Sequence, residues 1–193
     1  FPEDELQLPT LKEGDKDDTY LHLSDASGKV SKGIKYFQLL KESYPGKLEG
    51  LKAFTRAYLA SVAAVDDCIG QVLKALDNSS LKENTIVIIT SDHGWNMGEK
   101  DFLFKNSLWE ESTRVPMVIR APGVSRNGGV VSHPVSLIDL YPTLKDLCGL
   151  SADTRKNNKG AHLDGHSMRP FLINPKTKEW TGSDVALTMV YAG

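Results

Sequence analysis

The stretch TSDHGWNMGEKDFLFK, residues 90–105, sets a carboxylate, an imidazole and a glycine side by side at Asp92, His93 and Gly94, with Lys100 and Lys105 soon after. Carboxylate oxygen and imidazole nitrogen are both ligand atoms for divalent cations. Neighbours on a regular strand point to opposite faces, so this pair can serve one ion only from a turn. Gly94 permits such a turn and a close approach of backbone. Lys105 lies in a stretch with neither helical nor alternating pattern, a loop able to fold back over a strand end. A lysine held near a cation there would take an anionic substrate as a point charge. The same residues admit a plainer reading, in which Asp92 caps a helix, His93 packs against Trp95, and both lysines are solvated.

Elements on either side must place that loop. TIVIIT at 85–90 is an unbroken β-branched run, which predicts a strand covered on both faces. Before it, Phe54, Tyr58, Val62, Val65, Ile69, Val72, Leu73 and Leu76 recur at three- and four-residue steps, predicting an amphipathic helix that ends at Asp77. Lys52, Asp66, Asp67 and Lys74 fall largely off that stripe, and Cys68 reads as a buried or half-buried structural thiol within the helix. Helix followed by buried strand is half of a parallel α/β repeat, whose ligands bind outside the carboxyl ends of the strands.

VPMVIRAPG at 115–123 predicts the next strand, closed by Pro122 and Gly123. SLIDLYPTLKDLCGL at 136–150 predicts a helix with Asp139 as N-cap, Pro142 in the first turn and Gly149 as the stop. A shorter helix over 32–41 is carried by Ile34, Phe37 and Leu40, and SYPGKLEG breaks the chain after it at Pro45, Gly46 and Gly50. Residues 1–32 read as loop, with a short strand or turn near 20–23, and DVALTMVYA at 184–192 reads as a strand without a successor.

The chain has 193 residues, 40% of them hydrophobic, enough for one sizeable core. Lys plus Arg number 23 against 25 for Asp plus Glu, and a net charge of -2 supplies no global field for nucleic acid or an acidic membrane. Any anion must therefore be recognised locally. No apolar run approaches the roughly 20 residues of a membrane span. Cys68 and Cys148 are too far apart in sequence to read as a disulfide framework or a metal-ligand cluster.

Four pieces, RAYLASVAAVDDCIGQVLKAL, NTIVIITSDHGWNMGEKDFLFKNSLWEESTRVPMVIRAPGV, VSLIDLYPTLKDLCGL and HLDGHSMRPFL, resemble in order and spacing the sulfatase family of the alkaline-phosphatase-like superfamily. The nearest likeness is to its iduronate-2-sulfatase and choline-sulfatase branch, over about residues 50–172. The resemblance implies an α/β sandwich with a mainly parallel central sheet flanked by helices. It implies that Asp92 and His93 hold a divalent metal, calcium first, with zinc or magnesium behind it because imidazole suits softer ions than calcium. It implies that Lys105 is catalytic and contacts the sulfate, with Lys100 as a second substrate-side charge. Trp95, Trp109 and Arg114 could line a sugar or anion pocket, or serve packing and a structural ion pair.

Sulfatases attack with a formylglycine made in a Cys/Ser-x-Pro-x-Arg motif, and neither Cys68 nor Cys148 stands in one. The resemblance therefore implies the C-terminal portion of a single sulfatase domain. Within it, 1–50 form an irregular lead-in, 51–150 a helix–strand core with the metal-site loop, and 151–193 a loop-rich tail. The expected partners are a sulfated carbohydrate or small sulfate ester and the missing N-terminal portion, without which the chain is expected to be inactive. Secretion, periplasm or lysosome is the compartment the family implies. Two alternatives stand beside this: a metal phosphodiesterase or phosphatase of the same superfamily, and a non-catalytic carbohydrate-binding domain.

Overall fold

The computed structural model describes residues 2, 5–19, 30–151, 153, 155 and 159–189. The expected turn or strand near 20–23 lies outside the described residues, as do the last residues of the expected strand at 184–192. The chain divides into two units, one of Phe1–Ser79, His93–Val115 and Met189–Gly193, the other of Ser80–Asp92 and Pro116–Thr188.

In the first unit, α1 (Lys32–Ser43) forms where the three- and four-residue spacing predicts it, and buries Gly33, Phe37 and Leu40. A three-residue break, Tyr44 to Gly46, leads into α2 (Lys47–Asp77). Gly50 does not break the chain as expected; it lies inside α2, where an added Cβ would sit 3.0 Å from Leu40 Cγ and 3.1 Å from Tyr44 Cδ2. The glycine is there for close approach of the two helices, and its helical conformation needs no special backbone. The core is Phe37, Leu40, Leu51 and Leu103, with Leu8, Leu11 and Phe54 against it. Phe102, 2% exposed, fills the space that Gly33 leaves by having no side chain, and its burial contributes about 1.5–3 kcal/mol. A single turn, α3 (Glu110–Thr113), completes the helices of this unit among the described residues.

The apolar stripe of α2 is not buried along its length. Only Gly50, Leu51 and Thr55 are buried, while Tyr58, Val62, Val65 and Val72 are exposed at 40–68%. A 31-residue helix is about 46 Å long, and its first turns alone meet the core. Cys68 is exposed, contrary to the expected structural thiol, because it lies on this uncovered length.

In the second unit, β1 (Val87–Thr90) and β2 (Met117–Arg120) pair antiparallel in the register Val87↔Arg120 to Thr90↔Met117. Both strands fall where the sequence puts them, but the parallel arrangement expected of them does not. A parallel return needs a crossover of a dozen or more residues, usually a helix, and the 91–116 connection holds no helix longer than α3. β1 is half-buried rather than covered on both faces.

α4 (Leu140–Leu147) follows a 3-10 turn at Leu137–Asp139, and Gly149, at φ 63°, ends it as predicted. Asp139 occupies the N-cap position of α4 as predicted, but its side chain makes no capping bond to that helix; the capping box is that of Ser136 and Asp139 on the preceding 3-10 turn. The Asp139 carboxylate, 4% exposed, accepts from Ser136 N at 2.8 Å and from His166 N at 2.8 Å, so it ties the helix start to a distant loop. α5 (Arg169–Ile173), unforeseen in the sequence, is attached where Met168 N donates to the buried Thr143 hydroxyl at 2.8 Å. No strand forms over 184–189. No helix among the described residues is long and apolar enough to cross a membrane.

Candidate functional site

β1 ends at Thr90, and Asp92 stands exposed two residues later as the last residue of its unit's first segment. No helix follows for Asp92 to cap. His93 opens the loop that returns to the first unit. Its ring is half-buried, with Nδ1 2.9 Å from the Gly94 carbonyl oxygen and Nε2 2.8 Å from the Lys105 ammonium. A carbonyl only accepts and an ammonium only donates, so Nδ1 carries the hydrogen and Nε2 presents its lone pair. The loop thus sets one tautomer, in which the Nε2 lone pair is taken by Lys105.

Gly94 serves close approach rather than a left-handed turn. Its N–H donates to Ser112 O at 2.8 Å, and an added Cβ would run into the Glu111 carbonyl. Beyond it the loop folds on itself: Asn96 N donates to Phe104 O and Gly98 N to Phe102 O, each at 3.0 Å. The Asn96 side chain, fully buried, accepts from Ser107 at 2.9 Å and Ser112 at 2.7 Å and donates to Glu111 at 3.4 Å. Three aromatic or aliphatic anchors then precede Lys105. Phe102 and Leu103 are buried, and Phe104 packs edge-on against Tyr36 at 5.5 Å and Trp95 at 5.4 Å. Lys105 is exposed as a residue, yet its head group is directed at His93 by that anchored run.

Lys100 is placed differently. Its ammonium donates to the Asp15 carbonyl at 2.8 Å and the Asp15 carboxylate at 3.0 Å, which raises it above the ordinary lysine range. Burial lifts the Glu99 carboxyl above its usual value, even though that carboxylate accepts from Met97 N at 2.6 Å. Trp95 stacks on Phe54 at 6.3 Å, Trp109 meets Phe102 edge-on at 5.1 Å, and Arg114 pairs with Glu110 one turn away. All three are engaged in packing or a surface ion pair.

The polar hub at Asn96 was not singled out in the sequence; its signal was a small amide enclosed by apolar loop residues and followed by two serines. Among the described residues, no group of three or more His, Cys, Asp or Glu side chains gathers to hold a metal. Among the described residues, one cavity of about 560 Å³ lies beside His133, Phe171 and Asp184, and another of about 280 Å³ between 11–16 and 98–101. Neither is lined by Asp92, His93 or Lys105.

Comparison with known proteins gives the site its setting. A family profile described as Sulfatase matches residues 10–150. A choline-sulfatase of Rhizobium meliloti is 34% identical over 144 residues, covering 75% of this chain and 27% of the relative. A phosphonate monoester hydrolase from Silicibacter pomeroyi superposes with a TM-score of 0.72 at 27% identity, over 93% of this chain and 34% of that one. A protein solved in complex with its substrate D-glucosamine-2-N,6-O-disulfate gives a TM-score of 0.62 at 26% identity, over 89% of this chain and 36% of that one. The chain spans about a quarter of the length of the curated relatives it matches. Its α/β architecture is that of part of an alkaline-phosphatase-like domain, with an antiparallel strand pair within the described residues. With the profile matched across strands, loop and helix alike, this chain belongs to the sulfatase family.

Proposed function

We propose that this chain supplies part of the catalytic site of a metal-dependent sulfatase that cleaves sulfate esters, sulfated sugars foremost. The observation that carries the reading is the Lys105 ammonium 2.8 Å from His93 Nε2, on a ring whose tautomer is set by the Gly94 carbonyl. One fixed cation and one basic nitrogen at a strand end form a local anion- and cation-handling corner on a chain with no overall field of either sign.

Asp92 and His93 would hold the divalent ion, calcium ahead of zinc or magnesium. The donor types fit once Lys105 turns from Nε2 to the anion and frees that lone pair, since a carboxylate and an imidazole nitrogen both ligate such ions. When bound, the ion supplies Lewis-acid charge to the sulfate oxygens. Lys105 holds those oxygens as a fixed positive charge, oriented by Phe102, Leu103 and Phe104, and stabilises the charge that develops as the ester oxygen departs. The nucleophile, a formylglycine, is placed outside this chain, and residues 1–193 alone are expected not to turn over.

Sulfate release from an aryl sulfate or a sulfated glucosamine by the complete parent enzyme tests this. Lys105→Ala should lower kcat/KM by about a hundredfold to a thousandfold, the cost of losing one oxyanion-holding donor. An unchanged rate ends the reading. A second reading, hydrolysis of phosphonate or phosphate esters, is favoured by the overlay with a phosphonate monoester hydrolase across 93% of the chain. A larger kcat/KM on a phenyl phosphonate monoester than on the matched sulfate would select it.

A further inference from the structure

We propose that Lys100 is a positioning residue, locked in a reciprocal charge clamp between Asp15–Lys16 and Lys100–Asp101 that holds the loop bearing Lys105. The proposal rests on the reading of Lys105 as the anion-holding group and adds to it the part of the molecule that keeps that group in place.

The loop needs holding. Gly98 has φ 109°, and Lys100 and Asp101 both have φ 54°, a left-handed conformation that residues with a Cβ seldom adopt and here adopt in succession. Within the turn, Gly98 N donates to Phe102 O at 3.0 Å and Asp101 N to Gly98 O at 3.2 Å, and the side chains of Lys100 and Asp101 are left to contacts from elsewhere in the unit. What meets them is a turn from far upstream, Glu13 to Thr19, whose charges match those of the loop in alternation. Asp15 takes Lys100 at 3.0 Å, and Lys16 takes Asp101 at 2.8 Å, with Lys47 a second cation on Asp101 at 3.4 Å. Two adjacent residues of one segment thus face two adjacent residues of the other with opposite signs. A shift by one residue would set like charge against like.

Lys100 is the best enclosed member. Its side chain is 19% exposed and that of Asp15 25%, so the pair is less screened than an ordinary surface pair. Its ammonium also lies 5.8 Å from the Trp109 ring centre, and Trp109 in turn meets Phe102. Lys100 therefore joins the upstream turn to the segment that follows Lys105. From Asp101 the chain passes directly to the buried Phe102 and Leu103, where Leu103 N donates to Gly33 O at 3.1 Å, and then to Lys105. The titration directions agree with an engaged network: hydrogen bonding to Asp101 raises Lys16, and hydrogen bonding to Asp15 raises Lys100.

Charge reversal tests the clamp on the chain itself. The ¹⁵N resonances of the His93 ring report whether Lys105 still donates to Nε2, and Lys105→Met sets the size of the signal for a lost contact. Asp15→Lys and Lys100→Asp are each expected to move the His93 signal toward that of Lys105→Met. Each should also raise amide exchange over 98–105 about tenfold, as a local opening does. The double exchange should recover both readouts, and the milder Asp15→Asn should fall between if Asp15→Lys folds poorly. A pair that only supported the fold would lower the melting temperature without moving the His93 signal well below it. An unmoved His93 signal in both single variants, or no recovery in the double, overturns the proposal. In the parent enzyme, a Lys100 that touched substrate would leave the double exchange with a raised KM, which also overturns it. If Lys105→Met leaves sulfate release intact while the resonance pattern holds, the sulfatase reading fails and the clamp stands.

Discussion

Two histidines, one in each unit, begin alike and end with opposite chemistry. His93 and His133 both set Nδ1 on the carbonyl oxygen of the next residue, at 2.9 Å from Gly94 and 2.8 Å from Pro134. On the other nitrogen, His93 meets the Lys105 ammonium and His133 meets the Asp184 carboxylate at 3.2 Å. The nitrogen that faces a carboxylate donates to it, whereas the nitrogen that faces an ammonium accepts from it. Nε2 of His133 is therefore turned to an acceptor, on a ring packed at 5.3 Å from Phe171 and 4.9 Å from Trp180. His93 is built to offer a lone pair. The group facing Nε2 decides which histidine can be a ligand, and sequence neighbours alone do not reveal it.

The largest expected effect breaks that comparison at the site itself. In the parent enzyme, His93→Ala should reduce kcat/KM on a sulfate ester by an amount comparable to Lys105→Ala, since it removes a proposed ligand of the ion. His133→Ala should leave kcat/KM within about threefold while lowering the melting temperature, as expected for a residue whose work is packing and a partly exposed hydrogen bond. Steady-state kinetics on the two variants, measured side by side, decide it. Comparable losses from both would mean that the distinction drawn at Nε2 has no functional content.

The second effect concerns the buried polar hub of each unit. Asp139→Ala leaves Ser136 N and His166 N without their acceptor, and a lost buried acceptor for two donors should cost about 2–4 kcal/mol in urea unfolding. Asn96→Ala strands two serine hydroxyls that can still bond each other, at 2.8 Å between Ser107 and Ser112, so about 1–3 kcal/mol is expected. Only Asn96→Ala should also move the His93 ring resonances, because its network lies between Gly94 and Lys105.

These hubs mark how far the sequence could be read. α1 and α2 are legible from the three- and four-residue spacing of their apolar residues, both strands from short apolar runs, and α4 from the residues that start and stop it. The loop of the candidate site is legible through Asp92, His93 and Lys105, whose types and order carry the family likeness. What the sequence hides are the cross-chain relations. Gly50 reads locally as a breaker, and only the approach of Leu40 and Tyr44 explains it within a helix. The antiparallel pairing of β1 and β2 depends on where a long connection goes, which residue patterning does not encode. Cys68 reads as structural because its helix is amphipathic, yet the face of a stripe does not say how far along it a partner extends. Asp15 and Lys16 look like members of a solvated charge run until the turn is seen against Lys100 and Asp101.

The smallest expected effect distinguishes the clamp by its response to acid. Burial acts to raise the Asp101 carboxyl, but hydrogen bonds and charges from Lys16 and Lys47 outweigh it and bring Asp101 below its ordinary value of 3.8. Its contribution is thus present above that value and lost as pH falls through the lower, folded one. Glu99 runs the other way. Burial raises it above 4.5, so the folded loop binds its proton more readily than the unfolded chain does, and stability declines as pH rises from 4.5 through the folded value. On acidification the loop should first tighten as Glu99 takes its proton and then loosen as Asp101 does, each by less than about 1 kcal/mol after solvent screening. Amide exchange over 98–105, corrected for its intrinsic pH dependence, should therefore pass through a minimum in the acid range. Glu99→Gln should flatten the limb above the minimum, and Lys16→Met should shift the limb below it to higher pH, because Asp101 then loses its principal cation. A minimum unmoved by Lys16→Met would separate Asp101 from the clamp and leave the Lys100–Asp15 pair to hold the loop alone.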